Sequence, residues 1–241
     1  MIKARLLLIA ALFLGLAFPT QAQFGKLLNK AKEAVGIEDN DIDIAGGLKE
    51  ALENGVGEAV TSLSAENGYF ESPYKILIPE DAQKVISVVK RVPGFENVER
   101  DLIQKMNQAA EIAAKEATPI FVDAIRNMTF EDAKDILFGE DDAATVYLEG
   151  QSRTALYEKF MPVIQSSLDE VNARSYWKSV VNEYNKVPFI KKLNPELDDH
   201  VNNKALDGMF GLIEVKEVKI RKDVDERTSP LLKDVFGQLD N

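Results

Sequence analysis

The chain has 241 residues, no cysteine, a single histidine, and 29 Lys and Arg against 40 Asp and Glu, a formal net charge of −11. Without cysteine there is no disulfide framework, thiolate metal ligand or thiol nucleophile. An acidic chain with no basic stripe is a poor fit to nucleic acid or to an anionic membrane surface.

Residues 1–22 read as a secretory signal: Lys3 and Arg5, then the uncharged run LLLIAALFLGLAF, then a small-residue end at Thr20-Gln21-Ala22. The apolar run is short for a membrane span, which takes about 20 residues. Cleavage after Ala22 removes Lys3 and Arg5, leaving 27 cations against 40 anions, or −13. Export to the periplasm or beyond is the expectation, with no membrane span after the signal is removed.

Residues 24–35 form a short amphipathic piece ended by Gly36, and GIEDNDID reads as an acidic linker. Ile44, Leu48, Leu52, Val56, Val60 and Leu63 then follow helical spacing. Residues 64–79 break the pattern with Asn67-Gly68 and two prolines, which predicts an ordered loop or short strand. Pro79-Glu80-Asp81 opens a helix toward Arg91, with proline and acids where a first turn favours them.

Leu102, Met106, Ala109 and Ala113, then Ile120, Ala124 and Met128, mark one buried stripe that Pro119 kinks or splits near Thr118. Thr129 with Asp132 forms a capping box, and Gly139 is placed as a left-handed helix terminator. Next, Glu140-Asp141-Asp142 precede Leu148, Leu156, Phe160 and Ile164. This spacing makes Asp141 an N-cap with Asp142 in the first turn. Residues 165–187 form a further helical run. Asn194 and Pro195 start a long helix, apolar on most sides around Leu206, Met209, Phe210 and Ile213, which belongs in the middle of a bundle. Ser229-Pro230 starts a last short helix.

Three groups carry candidate chemistry. Asp39, Asp41, Asp43 and Glu50 occupy calcium-loop positions, but Ile44 stands where such a loop needs glycine. Together with Asp141 and Asp142 they are the metal-ligand candidates. His200, beside Asp198 and Asp199, is a potential base with Glu196 one turn before it, and a surface ion pair is its plainer role. Tyr69, Tyr74, Tyr176 and Trp177 are candidates for lining an apolar-ligand pocket. No phosphate loop, nucleophile elbow or triad is present, so no catalytic residue or cofactor is assigned.

The blocks AGGLKEALENGVGEAV, YKILIPEDAQKV, MNQAAEIAAKEATPIFVDAIRNMTFEDAKDIL, GEDDAATVYLEGQSRTALYEKFMPVI and KALDGMFGLIEVKEVKIRKD resemble, in order, the bacterial domain-of-unknown-function family 4197. The resemblance covers roughly residues 44–236. It implies an exported, predominantly helical protein of Gram-negative bacteria, and it carries no catalytic or ligand residue.

The resulting expectation is a signal at 1–22, a short helix and acidic linker at 23–43, and a single all-α domain of about eight helices at 44–241. Its function reads as non-enzymatic binding or interaction in the cell envelope, with a protein or a small apolar ligand as partner. The alternatives are a metal-assisted enzyme that uses Glu140, Asp141 and Asp142 with His200, and an apolar-ligand carrier with a cavity between the 165–187 helix and the 64–79 loop.

Overall fold

Apolar residues recurring at three- and four-residue steps dictate helices from end to end, and the computed structural model contains nine α-helices and no strand among the residues it describes. Those residues are 39–91, 96–170, 173–186, 188–189, 191–194 and 196–240. The expected signal at 1–22, the expected helix at 24–35 and Gly36 lie outside them.

Helix α1 (Asp39–Ser64) already includes Asp39, Asp41 and Asp43, so helix replaces the second half of the expected linker. Its stripe from Ile44 to Leu63 is buried as the spacing requires. Helix α2 (Glu80–Val89) is followed by α3 (Val98–Ala114) and α4 (Thr118–Asn127), with the chain split ahead of Pro119. Helix α5 (Phe130–Leu137) carries the capping box: Thr129 Oγ1 accepts from Asp132 N at 3.1 Å, and Thr129 N donates to Asp132 Oδ2 at 2.8 Å. Gly139 does not take the left-handed conformation expected of it. It is small because a Cβ there would lie 2.8 Å from the Asp135 carbonyl oxygen.

Helix α6 (Ala143–Glu170) runs through Pro162 and absorbs the start of the 165–187 run, leaving α7 (Ala173–Asn185). Helix α8 (Leu197–Lys222) begins later than the Asn194-Pro195 signal suggests. Asn194 Oδ1 instead accepts from Glu196 N at 2.9 Å in the approach to the helix. Ser229 caps α9 (Pro230–Phe236), its Oγ accepting from Leu232 N at 3.1 Å.

Helices α6 and α8 form the central pair, with α3 packed on both, α4 and α5 on α6, and α7 joining α6 to α2. Leu148, Leu156, Phe160 and Ile164 of α6 meet Leu206, Met209 and Ile213 of α8 in one buried cluster. Phe121 stands edge-on to Phe210, ring centroids 5.7 Å apart, which closes α4 against α8.

The 65–79 segment is an ordered loop. Asn67 takes a left-handed φ of 61°. The Glu111 carboxylate accepts from the backbone N–H groups of Asn67, Tyr69 and Phe70 at 3.3, 3.3 and 3.5 Å. Asn107 pairs with both backbone groups of Ile76, at 2.8 and 2.9 Å, and so does from a side chain what a neighbouring strand would do.

Candidate functional site

The backbone that carries Asp39, Asp41, Asp43 and Glu50 is helical from Asp39 onward, in place of the loop that a calcium site in this register needs. Among the described residues no group of three or more His, Asp or Glu is disposed to hold a metal ion.

Ahead of α6, the first intrahelical bond runs from Val146 N to the Asp142 carbonyl at 2.9 Å, so Asp142 rather than Asp141 is the boundary residue. The open N–H groups behind it are taken by Glu217 of α8. Its carboxylate accepts from Ala144 N at 2.9 Å, Thr145 N at 2.8 Å and Thr145 Oγ1 at 2.8 Å. Arg221, one turn on, donates to Glu217 Oε1 at 2.9 Å and to the carbonyls of Leu137 and Ile136 at 3.0 and 2.8 Å. This buried pair thus sets an anion at the start of α6 and a cation at the end of α5, as the two helix dipoles favour.

Asp141 makes a surface ion pair with Lys222 instead. Lys222 is 22 residues beyond His200 on the same helix, about 33 Å along its axis at 1.5 Å per residue, so its partner Asp141 lies at the other end of α8 from His200. The structure does not bring the acidic triplet and the histidine together.

The aromatic candidates also part company. Tyr69 is fully buried and donates to the Ala205 carbonyl at 2.7 Å; burial, and secondarily the Glu111 charge, push its hydroxyl pKa far up. Tyr74 packs its ring against Gly208 and Gly211 of α8. Tyr176 is half-buried against the core. Of the four, Trp177 lines an open space.

That space is a cleft of about 330 Å³ where α7, the start of α2 and the N-terminal half of α8 meet. Trp177, Leu193, Pro79 and Ala82 give it an apolar floor. Asp199, His200, Asn203, Lys204 and Asp207 recur at helical spacing along one face of α8 and form a polar wall.

His200 Nε2 lies 2.8 Å from the Leu77 carbonyl. A carbonyl only accepts, so Nε2 is the donor in this contact, and Nδ1 is the ring nitrogen left toward the cleft's polar groups. Asp199 Oδ1 accepts from Tyr157 Oη at 2.6 Å and Asn203 Nδ2 at 3.1 Å. That hydrogen bond, then burial and the charges of Asp199 and Asp198, raise the Tyr157 pKa.

Burial pushes the Asp207 carboxyl up, but hydrogen bonds and charge from Arg153 (2.6 Å) and Lys204 (3.1 Å) outweigh it and hold the group below the usual range. Arg153 is itself fixed by Glu149 at 2.6 Å. The wall is therefore held in place before any ligand arrives.

A larger cleft of about 500 Å³ runs between α1 and α8 past Glu53, Glu58 and Lys216. It has no aromatic surface, and Lys216 is already paired with Glu58 at 2.5 Å. Apolar area combined with a few converging polar groups is what a small-molecule site needs, and the Trp177 cleft has both. Periodicity shows the Asp199–Asp207 face in the sequence. That Trp177 and Pro79 would face it from other elements has no local signal.

The fold and its cleft define an all-α bundle with a mixed apolar and polar recess at one end of its central helix. The chain matches the family model described as protein of unknown function (DUF4197) over residues 38–237, and it belongs to that family. It matches no curated protein and no solved structure.

Proposed function

We propose that this protein is a non-enzymatic binding protein of the bacterial cell envelope, exported by residues 1–22, with the Trp177–His200 cleft as its ligand site. The observation that carries the reading is the pairing of a Trp177 floor with the prearranged wall of α8. A volume of about 330 Å³ falls at the lower end of ordinary ligand pockets, which hold about 300–1,000 Å³. The wall favours a ligand with an apolar body and a polar group to meet His200 Nδ1, rather than a wholly apolar one. Export is supported by the order of basic, apolar and small residues in 1–22.

Native mass spectrometry of the mature protein from its own compartment tests both parts. A chain beginning at Gln23 and carrying an adduct is the expected result. His200→Ala and Lys204→Ala should each weaken retention of the adduct, and its removal should change Trp177 emission. A clean apo mass with no response of Trp177 to envelope extracts overturns the site. An adduct held equally by both variants does so as well. An intact chain beginning at Met1 overturns the export.

A further inference from the structure

Two buried oxygens on α8, Asp198 Oδ1 and Asn202 Oδ1, have no hydrogen-bond partner. Asn202 is fully buried and Asp198 is 5% exposed. Four residues apart on one helix, their side chains leave the same face one turn from each other, with Cβ atoms about 5–6 Å apart. Both meet α6. Gln165 Nε2 donates to Asp198 Oδ2 at 2.6 Å, and Asn202 Nδ2 donates to the Tyr157 carbonyl at 2.9 Å. The second bond fixes which way the Asn202 amide points, because turning it over would set its oxygen against that carbonyl.

A buried acceptor without a partner costs free energy, and in a native fold it is met by a water or an ion. Neither oxygen can satisfy the other, since a carboxylate and an amide oxygen both only accept. Charge decides between the two guests. The cation beside Asp198 is Arg174, whose Nη2 stands 3.6 Å from Oδ2, too far for a hydrogen bond. Arg174 Nη1 is held by Asp169 at 2.7 Å. A buried carboxylate with one neutral donor and one long ion pair is under-compensated. A water would bring donors and no charge, whereas a cation meets both oxygens and the charge together. One carboxylate balances one positive charge, and a divalent ion would leave an excess in the interior.

We propose that Asp198 Oδ1 and Asn202 Oδ1, with the amide oxygen of Gln165 at hand, bind a monovalent alkali-metal cation where α8 meets α6 and α7. Carboxylate and amide oxygens are the donors that hard cations take. Asp199, His200 and Asn203, which line the Trp177 cleft, are sequence neighbours of the two ligands on the same turns of α8. The cation therefore braces the polar wall from behind, and it does so whether or not the cleft holds a ligand.

Thermal unfolding in sodium or potassium chloride, against choline chloride at equal ionic strength, tests it. Choline screens charge equally and is too large for a buried site. For a Kd of about 10 mM, about 100 mM of the bound ion raises the folding constant about elevenfold and the midpoint by roughly 3–6 °C. A gain of this order from either alkali ion is expected, with excess sodium NMR relaxation in the presence of the protein where sodium is the ion that stabilises.

Asp198→Asn places an N–H where Oδ1 stands and keeps an oxygen for Gln165, so it supplies Asn202 Oδ1 directly. This variant should unfold in choline chloride no earlier than wild type and should lose the response to the alkali ion. Asn202→Leu should lose that response as well. Equal wild-type midpoints in the three chlorides would mean that a water bridges the two oxygens, and they overturn the proposal. An alkali-ion gain retained in full by Asp198→Asn places the ion elsewhere and overturns it too.

Discussion

Glu217 is the residue whose removal tests most directly how the bundle is joined. Its side chain and that of Arg221 are only 6% and 4% exposed. Glu217→Ala strands the Arg221 guanidinium in the interior and leaves Ala144 N, Thr145 N and Thr145 Oγ1 without their acceptor. Breaking a buried pair from one side costs about 3–5 kcal/mol, because the remaining charge stays buried and uncompensated. At about 2–4 °C per kcal/mol for a domain of this size, the midpoint should fall by roughly 6–20 °C.

The assay is urea and thermal unfolding followed by far-UV circular dichroism, with Trp177 emission as a second probe. Replacing both partners, Glu217→Met with Arg221→Met, should be milder than Glu217→Ala alone, since no orphan charge remains. Asp141→Ala is the internal control. Its ion pair with Lys222 has side chains 56% and 60% exposed, so the substitution should change stability by less than about 1 kcal/mol. A loss below about 1 kcal/mol for Glu217→Ala, or an equal loss for Asp141→Ala, would falsify the account of how α5, α6 and α8 are held together.

Two further predictions follow from packing and titration. Gly208→Ala would place a Cβ 2.9 Å from Tyr74 Cβ and 3.0 Å from Tyr69 Cε1, and overpacking of about 1–3 kcal/mol should exceed the helix-propensity gain of about 1. Gly57→Ala meets no atom within 4 Å outside its own helix backbone and should stabilise by about 0.5–1 kcal/mol; matching signs in urea melts of the two variants would count against the packing.

Burial pushes the Glu111 carboxyl above the ordinary glutamate range, against N–H groups of Phe70, Tyr69 and Asn67 that pull it down, with Glu66 adding to the rise. The folded state therefore holds the proton longer than the unfolded one, whose pKa is about 4.3. The resulting contribution is greatest below that value and is lost as pH rises through the folded pKa. The stability of wild type relative to Glu111→Gln should decline across that window, and a flat or rising difference in pH-dependent melts would refute the assignment.

Several elements were legible because their causes are local. The Thr129–Asp132 box, the Ser229-Pro230 start and the break before Pro119 each depend on side chains within three or four residues of the backbone groups they satisfy. The buried stripes of α1, α3 and α6 follow from periodicity, which any amphipathic helix must show. Other readings failed where the satisfying group came from elsewhere. Asp141 looked like a cap because an acid precedes an apolar run, yet the N–H groups of Ala144 and Thr145 are met by Glu217, more than 70 residues away. Gly139 looked like a left-handed terminator, but the reason for its small size is the Asp135 carbonyl beside it.

The same division separates the fold from the site. Helical spacing, acidic balance and the blocks shared with its family determined an all-α chain of this class, because periodicity and capping act between near neighbours. Only the tertiary structure decided that Trp177 faces His200 across a cleft while Tyr69 and Tyr74 do not, and that Asp141 and His200 stand at opposite ends of α8. These facts depend on which helix faces pack together, and the sequence specifies that only through the summed burial of the whole core.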